Sequence, residues 1–229
     1  MRKLIFLLWF SMAVPSYGAI AYVNSVRCAY ATSCATTWNV TAGNVLIVAR
    51  WFTNGDGTLS DTQSNGYTQI RSVDTWHSNT RIHAATLASG GSTVTVNSTT
   101  TEDNLILAEF SGVSLTVDTS DSYNIGGAVP VCSPAGLSVT TSVAALLLSI
   151  VGGDEGNVSC TASTGTLLAT GTCANTTAGQ LRYQIGPAAT YTQQFAFAPD
   201  WNAGSANCGL VALRQTPGAT KIQHKVVSQ

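Results

Sequence analysis

The chain has 229 residues, only 9% of them charged, with 10 basic against 11 acidic side chains and a formal net charge of −1. So few charges, with no basic cluster, leave nothing to neutralise a run of phosphates, which argues against nucleic acid as a partner. The length suits one undivided β domain, since such domains run to roughly 200–250 residues.

The first element is Met1-Arg2-Lys3 followed by an apolar run over 4–14 and the small residues Ser16 and Gly18 before Ala19. A basic start, a short apolar stretch and small residues at the cleavage positions predict a secretory signal peptide over 1–18. The run is shorter than the roughly 20 residues that cross a bilayer. The later apolar run at 143–151 is only nine residues long, so no membrane span is expected. Removing Arg2 and Lys3 leaves 8 basic against 11 acidic residues, net −3, on a chain rich in Thr, Ser, Asn and Gly. The expected location is secreted, extracellular or at the cell surface.

The rest of the chain reads as strands, and the pattern occurs twice. In the first half an apolar run at 43–48 leads to the loop Asn54-Gly55-Asp56-Gly57, then to strands beginning at Gly66, Arg81, Thr93 and Leu105. In the second half an apolar run at 145–150 leads to the loop 152–156, then to strands beginning at Gly165, Leu181, Tyr191 and Leu210. Matched positions lie about 100 residues apart. The segments are short, rich in Val, Ile, Thr and Tyr, and separated by Gly, Asn, Asp and Ser. The run at 143–151 is short, flanked by a Gly pair and set among strands, which predicts a buried central strand rather than a helix. The fold class expected is all-β: an antiparallel, jelly-roll-like β-sandwich of two related four-stranded halves, about 38–113 and 137–215. They would form a single domain over 19–215, with 216–229 as a polar tail.

Four segments carry a resemblance: Ala42-Gly43-Asn44-Val45-Leu46, Ser60-Asp61-Thr62-Gln63-Ser64-Asn65-Gly66-Tyr67-Thr68, Ala108-Glu109-Phe110-Ser111-Gly112-Val113 and Val139-Thr140-Thr141. In order and spacing the chain resembles uncharacterised bacterial extracellular proteins with jelly-roll-like β-sandwich domains, over most of 38–215. The resemblance implies a fold and an extracytoplasmic setting, and it implies no activity and no functional residues.

Six cysteines, all beyond residue 18, read as disulfides in an exported chain. Six cysteines allow fifteen pairings. Pairing near neighbours joins Cys28 to Cys34 and Cys160 to Cys173, and leaves Cys132 for Cys208. A zinc site would want two cysteines two to four residues apart, a spacing that does not occur.

Other chemistry is weakly marked. No Gly-x-Ser-x-Gly elbow is present. Asp74, His77 and His83 lie close in sequence, but on a strand His83 would share a face with Arg81, which disfavours a cation, so surface histidines are the reading preferred. Asp56 and Asp61 form a Gly-rich loop that would suit a structural calcium, although Asp and Gly are also ordinary turn formers, and Asp154 and Glu155 match them in the second half. Asp118 and Asp121 get the same turn reading. Glu109, inside an apolar strand, is expected to be a satisfied structural carboxylate, and Glu102 and Asp103 are placed in a turn. Trp51, Trp76, Trp201 and Tyr67 stand in or beside turn-rich segments, where aromatic faces can stack on sugar rings while Asn79 and Asn202 bind hydroxyls. The function expected is therefore a non-enzymatic module that binds a glycan or cell-surface polymer. A self-associating structural or adhesive subunit is the alternative, and a glycan-active hydrolase or lyase comes third.

Overall fold

A computed structural model describes residues 19–52, 55–74, 79–126, 131–153, 159–162, 164–168, 178–198 and 205–217. Every regular element among them is a strand. The first half supplies β1 (Ala21–Ala35), β2 (Val45–Phe52), β3 (Leu59–Asp61), β4 (Thr68–Asp74), β5 (Asn79–Thr86) and β6 (Thr95–Ser111). The second supplies β7 (Val113–Gly126), β8 (Val131–Thr140), β9 (Ala145–Gly153), β10 (Ser159–Ala162), β11 (Thr166–Leu167), β12 (Ala178–Gly186), β13 (Thr190–Ala198) and β14 (Ser205–Gln215).

All pairings are antiparallel. The first half is one curled sheet in the order β1-β6-β2-β5-β4, with β3 on the N-terminal part of β6. The second half has a five-stranded sheet, β7-β14-β9-β12-β11, and a three-stranded one, β8-β13-β10. Read in the same direction, the two five-strand orders correspond, with β2 and β9 at the centre.

Each half therefore carries more than the four strands expected. Residues 114–136, left between the two expected halves, fall largely in β7 and the first part of β8. Their signal was present, because Val113, Leu115 and Val117 alternate with Ser114, Thr116 and Asp118. Glu102 and Asp103 do not form a separate turn either. They lie within the long β6, whose register against β1 shifts between Ala31↔Glu102 and Ser33↔Asn97, so that the extra residues of β6 are accommodated as a bulge.

The central strands are apolar on both faces because both are covered. From β2, Val45, Ile47, Ala49 and Trp51 enter a central core with Leu146, Leu148 and Ile150 of β9, Leu181 of β12, and Val211 and Leu213 of β14. Leu46 and Val48 point the other way, into a core closed by Cys34, Val94, Val96, Leu105 and Leu107. In β9, Ala145, Leu147 and Val151 enter a third core with Cys132, Leu137, Val139, Phe195 and Leu210. Burial of each large aliphatic side chain here contributes about 1.5–3 kcal/mol, which explains the unbroken apolar runs where a one-sided sheet would alternate.

The central core joins the halves. Tyr22 of β1 stacks on Tyr183 of β12 at 5.2 Å, and Phe110 meets both rings edge-on at 5.7 and 5.3 Å. Disulfides fasten the outer layers. Cys28–Cys34 spans the bulged part of β1, with Cα atoms 5.6 Å apart, and Cys132–Cys208 ties β8 to β14, with Cα atoms 6.3 Å apart. Bonding between Cys160 and Cys173 lies outside the described residues. Among those residues no helix is long and apolar enough to cross a membrane.

Candidate functional site

Arg50 interrupts the apolar run of β2, and the sheet register sets it directly opposite Arg81 of β5. Two like charges side by side on a strand pair are unfavourable unless carboxylates join them. Three do. Glu102, fully buried, accepts from Arg50 Nη2 at 2.8 Å, from Ser98 Oγ at 2.5 Å and from Thr100 Oγ1 at 3.0 Å. Asp74 pairs with Arg81 Nη1. Asp56 stands further off, 3.5 Å from Arg81 Nη2 and 3.8 Å from Arg50 Nη1. Arg50 Nη1 also donates to the carbonyl of Gly57. The Phe52 ring lies beneath both guanidiniums, 4.5 Å from Arg50 Cζ and 5.4 Å from Arg81 Cζ, a cation–π arrangement that further offsets their burial.

Two residues along the same face of β5 is His83. It lines a recess of about 320 Å³ together with Asp56, Gly57, Thr58, Leu59, Tyr67 and Gln69. Burial first, then the charges of Arg50 and Arg81, push the imidazole pKa down to about 4, against the opposing pull of Asp56. His83 is thus neutral at pH 7 and only partly exposed, not the surface histidine expected. It is also no cation ligand, because two guanidiniums stand beside it.

Tyr67 is placed by Asp61. The Asp61 carboxylate accepts from the amides of Gln63 at 2.9 Å and Asn65 at 3.0 Å, from Asn65 Nδ2 at 2.8 Å and from Tyr67 Oη at 2.7 Å. Burial raises its pKa, but these hydrogen bonds outweigh that and hold it below the usual range. Burial and the Asp61 contact raise the Tyr67 pKa, so the phenol stays protonated. The turn needs Ser64 at φ 59°, a left-handed conformation. Asp61 is therefore filled by a turn, and Asp56 faces two arginines. Asp61 thus serves its turn, the reading preferred to a calcium loop, and among the described residues no group of three His, Cys, Asp or Glu could hold a metal ion.

The other expected site residues fall elsewhere. Trp51, expected as a sugar platform, is wholly buried and donates Nε1–H to the carbonyl of Val151 at 2.9 Å. It fits because Gly152 and Gly179 face it, where any Cβ would collide with the indole. The burial signal was the apolar run itself, since Trp51 continues the alternation of Val45, Ile47 and Ala49. Asn79 opens β5, half-buried and outside the recess. Trp76, Trp201, Asn202, His77, Asp154 and Glu155 lie outside the described residues. Glu109 is structural, accepting from Trp38 Nε1 at 2.5 Å, Thr41 N at 2.9 Å and Asn44 Nδ2 at 2.6 Å. Asp118 accepts from Ser142 and Arg214, and Asp121 from the amide of Ser138.

Sequence reading singled out neither Arg50 nor Gln69. Arg50 carried a usable signal, because a charge inside an apolar strand must be paired to be tolerated. At the corresponding point of the second half, Val151 pairs with Gln180 and Cys208, so among the described residues the arginine pair has no counterpart there. No family model, curated protein or solved structure matches the chain.

Proposed function

We propose that the protein is an exported, non-enzymatic module that binds a carbohydrate unit, or a segment of another hydroxyl-rich surface polymer, in the recess beside Tyr67 and His83. The observation that carries this is the recess itself. It falls at the small end of the roughly 300–1,000 Å³ typical of ligand sites. Tyr67 and Leu59 supply apolar wall, and Asp56, Thr58, Gln69 and His83 supply polar groups. A sugar has the same two-sided chemistry, with C–H faces for the aromatic ring and hydroxyls that both donate and accept. Glu102 and Asp74 are committed to arginines and Asp61 to its turn, which leaves Asp56 without a second carboxylate on the recess wall and favours binding over acid–base catalysis.

Export is supported by the signal-like start and by two disulfides, which persist in oxidising compartments. A jelly-roll-like sandwich made by internal duplication is supported by the corresponding strand orders of the two halves. The test is a glycan array on residues 19–229 and on the variant Gln69→Ala. Gln69 is exposed, so the variant keeps its melting temperature, and loss of one hydrogen bond weakens binding about 5–10-fold. Retention of no glycan by the parent protein overturns the reading.

A second reading, self-association through a sheet edge, is favoured by β1. This edge strand carries Tyr22, Val23 and Tyr30, respectively 37%, 42% and 62% exposed. Sedimentation that does not change with concentration excludes it.

A further inference from the structure

Five charged side chains form one cluster beside the recess, reaching it through Asp56, and they do not cancel. Arg50 and Arg81 face Glu102, Asp74 and Asp56, and His83 is neutral, which leaves one negative charge in excess within the cluster, while Asp61 stands apart behind Tyr67, held by its own turn. The carboxylates are not equivalent. Glu102 is buried against Arg50 at 2.8 Å, and Asp74 pairs directly with Arg81. Asp56 is the loosest, at 3.5 and 3.8 Å from its partners, with a side chain 55% exposed, and it is the only one of the three that lines the recess.

We propose that Asp56 sets the charge selectivity of the site, admitting neutral hydroxyl-rich ligands and rejecting acidic ones, a reading that rests on the carbohydrate function above. An acidic sugar entering the recess meets the Asp56 carboxylate before it meets either guanidinium. A neutral hydroxyl donates to Asp56 and accepts from Gln69 without a charge penalty. Removing the Asp56 charge inverts the preference, because the remaining ion pairs keep the arginines folded in place while the wall loses its excess negative charge.

The experiment compares neutral oligosaccharides with uronic-acid oligosaccharides on residues 19–229 and on Asp56→Asn, at low and at high salt. The parent protein binds neutral ligands at least about tenfold more tightly than acidic ones at low salt, and the gap narrows at high salt. Asp56→Asn tightens acidic ligands by about tenfold, weakens neutral ones a few-fold because one charged acceptor oxygen becomes a donor, and Asp56→Glu restores the parent order. Equal binding of acidic and neutral ligands by the parent protein overturns the proposal and leaves the carbohydrate reading standing. An unchanged ratio in Asp56→Asn does the same. Binding of no glycan at all overturns both. The salt series on the parent protein decides the matter even if the variant fails to fold.

Discussion

Trp51 and His83 show how single side chains are controlled by what surrounds them. Trp51 is held between two glycines of the other half, so Trp51→Ala leaves a cavity and lowers unfolding free energy by about 3–5 kcal/mol. Gly179→Ala overpacks the same contact and costs about 1–3 kcal/mol. Urea denaturation measures both, and a Trp51→Ala effect below 1 kcal/mol contradicts the placement of the indole. His83 makes stability depend on pH. Its folded pKa is depressed to about 4, below the ordinary 6.5. The unfolded chain therefore binds a proton, as pH falls through 6.5 towards 4, that the folded chain refuses. The contribution of His83 is intact above pH 6.5 and is lost progressively down to pH 4. Because the ring is partly exposed, the loss is on the order of 1–2 kcal/mol rather than the full shift. Comparing parent protein and His83→Gln at pH 7 and pH 4.5 isolates it, and equal pH slopes for the two proteins refute it. Trp51 was misjudged from sequence because a tryptophan next to a turn looks exposed until a second sheet covers it.

At the scale of elements, the outer strands are held by covalent clips and the inner ones by burial. Cys132–Cys208 closes a loop of 76 residues and Cys28–Cys34 one of 6. On the chain-entropy account the first contributes about 4.5 kcal/mol and the second about 2.2 kcal/mol. Replacing Cys132 and Cys208 by Ser therefore lowers the melting temperature more than replacing Cys28 and Cys34, and the reverse order contradicts the assignment. The buried pair of β2 and β6 is likewise testable. Glu102→Ala leaves Arg50 charged and buried without its best partner, at a cost of about 3–5 kcal/mol, whereas replacing both residues with apolar ones costs much less. Strands of the inner layers were legible as apolar runs. The edge strand β1 was not, because an edge strand buries few side chains and its pairing depends on a distant neighbour, whereas β7 carried an alternation that was passed over.

For the whole molecule, the central core binds the two halves so closely that they should unfold together. Calorimetry is expected to show one transition, with calorimetric and van't Hoff enthalpies in agreement. Residues 19–112 alone would expose Ile47, Trp51, Ile106 and Phe110 to water and self-associate. Two separate transitions would count against a shared core. The sequence by itself determined the β class and the chemistry of each strand, because period-two alternation, β-branched runs and turn residues are local properties. Pairing near neighbours agrees with the two disulfides that the described residues contain, but fifteen pairings stay open until the fold brings the sulfurs together. Tertiary structure decided which faces are covered, that Arg50 and Arg81 stand side by side, and that Asp56, Tyr67, Gln69 and His83 share one recess. These residues come from three strands and two loops, and only long-range strand register, which no local pattern encodes, brings them together.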